Sequence, residues 1–316
     1  MGIWDLPGGT LGPYAEAALS KASVTLQLRG GNPPPYVAAY DIAWVPYTTR
    51  IMAQRTPEGI MKPFCWNDAE AVKKHVTDLA KNYEGARQHG VFVYSLGDEV
   101  DTQGCCLSPQ CADAYRAYLK QEYRELAGLN TSWGTDFESW DQVGLSKEGD
   151  NEEANSLQAG NYPRWFDRQA FKSYNFVQFC RKYAAAYAEI DPEAKTGFEG
   201  AGRFADGDDL DLIVRSNEFW SPYPGTADEV ARSVSPREAP RSNWMGYTKD
   251  ADSLVSKYWR MVTLGMDAVW YWRWDCIGAF HGWLAPDLRP FPAVQDILND
   301  TRIVREGLGD LLLKSQ

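Results

Sequence analysis

The feature that most constrains the fold is a regular alternation of short apolar segments with longer amphipathic ones. The short segments are rich in β-branched and aromatic residues, which is typical of buried strands, and the longer ones repeat their apolar residues with a helical period. Strand-like runs lie at residues 23–30, 40–49, 91–97, 194–200, 214–224, 241–247 and 266–275, and helical patterns lie at 68–90, 108–126, 169–190 and 252–265.

Alternation of this kind over about 300 residues favours a parallel sheet, either a closed (β/α)8 barrel or an open doubly wound sheet. No glycine-rich phosphate loop follows any strand-like run, which weighs against a nucleotide-binding doubly wound fold. Residues 2–5, Gly-Ile-Trp-Asp, supply a short eighth strand. The sequence therefore predicts an α/β protein with a (β/α)8 TIM barrel whose first strand is truncated.

Composition excludes several classes of partner. The 32 basic and 43 acidic residues give a net charge of −11, which argues against nucleic acid or an anionic membrane as a partner. The sequence contains no apolar run of about 18 residues, so we expect no membrane span. The first residues lack the pattern of a signal peptide, and the compartment stays open between the cytoplasm and secretion after signal removal.

The predicted strand ends carry carboxylates and aromatic side chains. In a barrel of this kind the active site lies at the carboxyl ends of the strands, so these side chains would converge on one face. Two carboxyl groups are what glycosidic cleavage requires, and aromatic rings stack on sugar rings. The candidates are Asp98, Glu99, Glu199, Arg203, Glu218, Trp220, Tyr223, Asn243, Trp244, Trp272 and Asp275.

Plainer interpretations exist for each of these groups. The pair Asp98-Glu99 also suits a solvated loop or a helix cap. Glu199 and Glu218 also suit ordinary positions on the rim of a barrel. In the run of aromatic residues at 269–274, strand alternation allows only half of the side chains to face the interior.

The segment 99–143 resembles the region after the fourth strand of glycoside hydrolase family 42 β-galactosidases. It reads DEVDTQGCCLSPQCADAYRAYLKQEYRELAGLNTSWGTDFESWDQV from Asp98, and the family has a similar acid, cysteine stretch and helix at the same spacing. Residues 219–225, 258–275 and 303–315 resemble later parts of the same barrel. The resemblance implies a (β/α)8 barrel with Glu99 as general acid/base and a carbohydrate as substrate.

Two departures from the family affect the catalytic prediction. Asp98 stands where the family has an asparagine that binds the sugar 2-hydroxyl, and Gly246 stands where it has the nucleophilic glutamate. The second carboxylate would then come from Glu218, Glu199 or Asp275, of which we prefer Glu218 because it precedes the segment that resembles the sugar-contacting strand. The alternative hypothesis is an inactive barrel that binds carbohydrate through its aromatic residues: Trp220, Tyr223, Trp244 and Trp272.

The cysteines also depart from the family, whose metal site uses a C-x-C-x-x-C cluster and one further cysteine. This chain has Cys106 and Cys111 but Ser108 between them, and two thiolates make a poor zinc site. We therefore predict no metal site and no cofactor. We expect residues 1–316 to form one barrel domain, with 303–316 resembling the start of a linker to a further domain. By the resemblance, oligomers would form through such further domains.

Overall fold

A computed structural model of the protein describes residues 1–5, 9–51, 54–102, 104–145, 152–200, 207–223, 225–245, 250–274, 283–285 and 287–315. Short strands and longer helices alternate through these residues. The strands are β1 (Gly2–Trp4), β2 (Leu26–Arg29), β3 (Ala43–Pro46), β4 (Tyr94–Asp98), β5 (Thr196–Glu199), β6 (Phe219–Ser221), β7 (Ser242–Met245) and β8 (Ala268–Tyr271).

The helices surround these strands. They are α1 (Gly12–Lys21), α2 (Ala69–Asn82), α3 (Glu84–His89), α4 (Pro109–Tyr123), α5 (Leu126–Trp133), α6 (Glu152–Ala159), α7 (Pro163–Ile190), α8 (Leu210–Arg215), α9 (Thr226–Val234), α10 (Ala251–Thr263), α11 (Pro292–Ile303) and α12 (Gly309–Ser315). None of the described helices is long and apolar enough to cross a membrane.

The strands close into a barrel. One run of parallel strands has the order β3-β2-β1-β8-β7, and a second has the order β4-β5-β6. The parallel bridge between Tyr47 and Ser95 joins β3 to β4, and the bridge between Trp220 and Arg241 joins β6 to β7. The predicted (β/α)8 barrel is therefore confirmed. The short run at the start of the chain is a true strand, since β1 pairs with both β2 and β8.

Alternation along the strands separates two apolar layers. Side chains such as Leu28 of β2, Phe219 of β6 and Trp270 of β8 pack against one another inside the barrel. Their neighbours on the opposite face, such as Phe198 of β5 and Trp220 of β6, pack with the surrounding helices. Period-two alternation explains the division, because successive side chains of a strand point to opposite faces.

Two element boundaries differ from the sequence prediction. The helix predicted over 68–90 is divided at Tyr83 into α2 and α3, although it begins at the Asp68 cap and ends at Gly90 as expected. The strand predicted over 214–224 is shorter: β6 has only three residues, and residues 210–215 form the helix α8. The prediction was wrong there because Val214 belongs to α8, and the polar residues 216–218 connect this helix to β6.

A buried polar pair joins α1 to β2. Glu16 is fully buried, and Gln27 donates a hydrogen bond from Nε2 to its Oε1 at 2.6 Å. Burial raises the pKa of Glu16 to about 7, although the hydrogen bond from Gln27 and the charge of Arg29 oppose this change. The folded state therefore holds this proton more tightly than the unfolded chain does.

We expect Glu16→Gln to flatten the pH dependence of stability. The stability linked to this proton is complete below about pH 4.5 and is lost as the pH rises to about 7, a loss of about 3 kcal/mol. The glutamine variant has no such proton to lose. Urea unfolding between pH 4.5 and 8 measures the difference, with Glu189→Gln on the exposed face of α7 as the matched control. Equal slopes for the wild type and Glu16→Gln would contradict the assignment.

Candidate active site

The site begins with an irregularity in β4. Against β5, Ser95 pairs with Gly197 and Asp98 pairs with Glu199, so β4 contains one more residue than its partner between these two positions. This β-bulge changes the alternation and turns Asp98 toward the same side as Ser95. Glu99 follows at once, with a φ of +50°, and its backbone N–H donates to the carbonyl oxygen of Glu199 at 2.9 Å.

The bulge requires glycine at position 97. Gly97 has a φ of +122°, which disfavours any residue with a Cβ. A Cβ at this position would also lie 2.6 Å from the carbonyl oxygen of Thr49 and 2.8 Å from Cα of Arg50. The Gly97 N–H donates to the hydroxyl of Ser95 at 3.1 Å. The main chain after β3 thus packs directly against the bulge and brings Arg50 to the site.

Asp98 and Glu99 share one tyrosine hydroxyl. The hydroxyl of Tyr223 lies 3.0 and 3.3 Å from the two carboxylate oxygens of Asp98 and 3.3 Å from Oε1 of Glu99. Arg50 donates from Nη2 to Oε2 of Glu99 at 3.0 Å, and the side chain of Glu99 is 53% exposed. Glu99 is therefore held by a cation and a hydroxyl but open to solvent, and hence to a ligand.

Asp98 lies deeper than Glu99. Its backbone N–H donates to the hydroxyl of Tyr47 at 3.1 Å. Burial raises the pKa of Asp98, while the hydrogen bond from Tyr223 lowers it and the adjacent charge of Glu99 raises it further. Two neighbouring carboxyl groups thus have different environments, which is the usual basis for different roles in proton transfer.

Glu199 lies beneath the pair on β5 and is fully buried. The hydroxyl of Ser95 donates to its Oε2 at 2.6 Å, and among the described residues its Oε1 has no hydrogen-bond partner. Burial raises the pKa of Glu199 well above its usual value, and the charge of Asp98 adds to this effect. Burial thus favours the protonated form of this carboxyl, which accepts its hydrogen bond from Ser95.

Aromatic side chains surround the mouth of the barrel. The rings of Trp4 and Trp272 lie 5.2 Å apart, and Trp4 also contacts Tyr47 at 5.1 Å and Trp244 at 5.7 Å. Trp272 and Tyr223 are half-buried, so each presents part of a ring at the surface. Trp244 is only 2% exposed and forms the floor of this group rather than its wall.

The structure corrects the placement of Glu218. Its carboxylate accepts a hydrogen bond from the backbone N–H of Thr196 at 2.8 Å, at the start of β5. Glu218 also precedes the first residue of β6. It therefore lies at the amino ends of the strands, opposite to Glu99, and the prediction that it acts with Glu99 was wrong. The physical reason is the late start of β6, which begins at Phe219 although a strand was predicted from residue 214.

Two other predicted binding residues face away from the mouth. Trp220 is 3% exposed, packs against the helices, and donates from Nε1 to the carbonyl oxygen of Gly200 at 2.8 Å. Asn243 is fully buried in β7, on the same outer face as Met245, two positions further along the strand. Neither side chain is available to a ligand. Arg203 and Asp275 were also predicted here, and together with Gly246 they lie outside the described residues.

Several residues of the site carry no recognisable sequence signal. Arg50 follows β3 in a polar stretch, and Ser95 lies within an apolar strand, so neither stands out from its neighbours. Tyr47 is visible only as one more aromatic residue at a strand end. Their contacts with Asp98, Glu99 and Glu199 depend on which strands are neighbours in the barrel. The order of the strands was predictable, but the side-chain contacts were not.

A group of thiols lies beside the site, at the start of α4. The sulfur atoms of Cys65, Cys106 and Cys111 are buried and lie within 4.8 Å of one another. The hydroxyl of Ser108 lies 3.0 Å from Cys65 Sγ and 3.3 Å from Cys106 Sγ. Hydrogen bonds from Cys111 and Cys65 lower the pKa of Cys106. Cys65 was not predicted as a member of this group, because no short spacing connects it with Cys106 and Cys111.

These four side chains fit a soft divalent ion. Three thiolates and one oxygen can supply the tetrahedral set that zinc prefers, and backbone N–H groups of Asn67 and Cys106 already donate to two of the sulfur atoms. Ser108 also accepts from the N–H of Cys111 as the cap of α4, so its oxygen is less available than a fourth thiolate would be. The described residues therefore contradict the prediction that this chain has too few cysteine ligands near Cys106 for a zinc site.

We expect the chain to bind one Zn²⁺ or Co²⁺, with Cys65→Ala losing the ion. Ser108→Cys should tighten binding by about 10-fold or more, because it replaces a weak oxygen ligand with a thiolate. Competition with a chromophoric chelator measures affinity, and the Co²⁺ charge-transfer band reports the number of thiolates. Cys180→Ala, a buried cysteine on α7, is the matched control. Equal affinity in Cys65→Ala and Cys180→Ala would contradict the site.

Comparison with known proteins agrees with this arrangement of the strands. A beta-galactosidase from Alicyclobacillus acidocaldarius is 26% identical over 242 residues, which are 65% of this chain and 33% of that protein. The chain thus spans about a third of the length of this curated relative. The beta-galactosidase structures from Bacillus circulans sp. alkalophilus and Marinomonas ef1 superpose with TM-scores of 0.71 and 0.69 at 13% and 15% identity. The two alignments cover 99% and 98% of this chain. They cover 56% and 61% of the matched chains.

The family model for glycoside hydrolase family 42, described as beta-galactosidase, matches residues 53–233. This match takes in more than half of the chain and includes β4 with Asp98 and Glu99. The chain belongs to glycoside hydrolase family 42.

Proposed function

We propose that this chain hydrolyses a β-linked glycoside, with Glu99 as the general acid/base. The observation that carries the proposal is the position of Glu99, directly after β4 at the carboxyl ends of the strands, where its carboxylate is 53% exposed. Active sites of this fold lie at that end. The beta-galactosidases that the chain resembles support a galactoside or a related β-linked oligosaccharide as the substrate class.

In this role Glu99 donates its proton to the glycosidic oxygen as the bond to the anomeric carbon breaks. It then takes a proton from the water that replaces the leaving group. Arg50 and Tyr223 contact different oxygens of its carboxylate and fix the orientation of both. Asp98 lies beside it and would bind the substituent on carbon 2 of the sugar, the position that the resemblance implies for residue 98.

The second carboxylate of the reaction is not Glu218, which lies at the far ends of the strands. Nor is it Glu199, because that carboxyl is fully buried and accepts from Ser95 below the site. Within the described residues, Asp98 is the carboxyl that shares a contact with Glu99. It is adjacent to the acid in the chain, on the same strand, which suits sugar binding better than attack from the opposite face of the ring.

The alternative of a purely carbohydrate-binding barrel receives less support. It relied on four aromatic side chains, and two of them, Trp220 and Trp244, are 3% and 2% exposed. Tyr223 remains at the mouth, but its hydroxyl contacts two carboxylates. A sugar-binding wall would present ring faces, whereas these residues orient a pair of acids.

We expect Glu99→Gln to lower kcat/KM on 4-nitrophenyl β-glycosides by about 100-fold to 10,000-fold, the usual contribution of a general acid. Glu218→Gln is the matched control, because it makes the same chemical change at the opposite ends of the strands. It should keep wild-type turnover and lose some thermal stability, since the N–H of Thr196 then pairs with a neutral oxygen. A fully active Glu99→Gln variant would contradict the role of Glu99.

A further inference from the structure

Three observations about the site have a common chemical explanation. By the resemblance to the family, Asp98 is a carboxylate where an amide is expected, and Gly246 stands at the position of the nucleophile. The hydroxyl of Tyr223 reaches both Asp98 and Glu99. A retaining hydrolysis still requires a nucleophile on the face of the sugar opposite to the acid, and this nucleophile can belong to the substrate instead of the protein.

We propose that the substrate is a β-linked 2-acetamido-2-deoxy sugar whose acetamido oxygen attacks the anomeric carbon, held there by Asp98 and Tyr223. This inference rests on the role of Glu99 proposed above and names the substrate class of the same site. In a β-glycoside of this class the acetamido group is trans to the leaving group. Its carbonyl oxygen can therefore reach the anomeric carbon from the face opposite to Glu99.

The amide group matches the polar atoms of the site. An amide offers one N–H donor and one carbonyl acceptor, whereas Asp98 offers an acceptor and Tyr223 a donor. In the free protein these two groups contact each other at 3.0 Å, so a donor and an acceptor for an amide lie side by side in the site. A carboxylate at position 98 has a further advantage over an amide: its charge stabilises the positive charge that develops on the acetamido nitrogen during attack.

Gly200 allows this pair to pack closely against the main chain. It has a φ of +60°, and a Cβ at its position would lie 2.9 Å from Oδ1 of Asp98 and 3.0 Å from Cε2 of Tyr223. Its N–H donates to the carbonyl oxygen of Ser221 at 2.8 Å, which holds the main chain close to β6. The glycine therefore lets Asp98 and Tyr223 pack directly against the main chain after β5, where any larger residue would collide with them.

The chemical steps balance without a further reactant. The acetamido oxygen forms a bond to the anomeric carbon while the bond from that carbon to the glycosidic oxygen breaks, and Glu99 gives its proton to the departing alcohol. The product is a cyclic oxazolinium ion whose N–H donates to Asp98. Glu99 then takes a proton from water, the water oxygen bonds to the anomeric carbon, and the ring opens to restore the acetamido group. The anomeric configuration is retained.

The test measures turnover by the full wild-type chain on 4-nitrophenyl β-glycosides in matched pairs. The pairs are N-acetylglucosamine with glucose and N-acetylgalactosamine with galactose, and we expect the 2-acetamido member to be preferred by about 100-fold or more in kcat/KM. Replacing acetyl by trifluoroacetyl withdraws electrons from the attacking oxygen, and kcat should fall by about 100-fold because that oxygen is the nucleophile. A bicyclic thiazoline that mimics the oxazolinium ion should inhibit competitively.

Variants of the binding pair provide a second measurement. Asp98→Asn keeps the shape of the side chain and removes its charge, so kcat on the 2-acetamido substrate should fall by about 100-fold or more. Tyr223→Phe should also lower kcat on this substrate, because the acetamido carbonyl loses the hydroxyl that donates to it. Glu218→Gln is the control and should leave turnover unchanged, while circular dichroism establishes that all three variants are folded.

The possible outcomes separate this inference from the proposed function. Hydrolysis of the 2-hydroxy glycosides with refusal of the 2-acetamido ones would overturn the substrate class and leave Glu99 as the acid of a different substrate. Equal rates for acetyl and trifluoroacetyl substrates would overturn the attack by the amide oxygen. Absence of turnover on every pair, with no binding of the thiazoline, would overturn both the substrate class and the proposed hydrolysis.

Discussion

The site depends on one extra residue in the ladder between β4 and β5. Ser95 and Asp98 are three positions apart, so regular alternation would send their side chains to opposite faces of the sheet. The bulge allows both to point into the barrel, where Ser95 contacts Glu199 and Asp98 contacts Tyr223. Gly97 makes this possible because it has no Cβ. Its φ is positive, and any Cβ at this position would collide with the carbonyl oxygen of Thr49. The arrangement of Glu99, Asp98 and Glu199 thus depends on this one irregularity of the backbone.

Three carboxyl groups on two adjacent strands would repel one another if all were ionised in a medium of low dielectric constant. The protein separates them by depth. Glu199 is fully buried, and burial raises its pKa well above the usual value, whereas Asp98 is half-buried with a raised pKa. Glu99 is exposed and paired with Arg50. This gradient places the exposed carboxylate beside Arg50 at the solvent edge of the site and the carboxyl with the strongly raised pKa below it.

The limits of the sequence prediction follow from particular elements. The strand ends placed Asp98, Glu99, Glu199 and Tyr223 at one end of the barrel, because those residues follow or terminate apolar runs that are strands. Glu218 was misplaced because β6 has only three residues and begins after it. In so short a strand an error of two residues moves a side chain from one end of the barrel to the other. Trp220 and Asn243 were misassigned because alternation, unlike strand position, depends on an exact register.

Contacts between distant segments were the other limit. Arg50 reaches Glu99 from the segment after β3, and Cys65 joins Cys106 and Cys111 from a segment about 40 residues earlier. Neither has a local spacing that marks it, since the contacts arise from closure of the barrel and from the main chain that packs on Gly97. Sequence patterns predict which strands are neighbours in such a fold more readily than which side chains meet between them.

The hydrogen bonds at the mouth show what the free site lacks. Tyr223 has one hydroxyl hydrogen, yet its oxygen lies within 3.3 Å of carboxylate oxygens from both Asp98 and Glu99. One of these contacts therefore has no hydrogen unless a carboxyl group is protonated, and burial, followed by the adjacent charge of Glu99, raises the pKa of Asp98. A ligand that brings an N–H to Asp98 and an acceptor to Tyr223 removes this shortage of hydrogen atoms. An amide does both with one planar group, whereas a sugar hydroxyl must donate to Asp98 and accept from Tyr223 through a single oxygen.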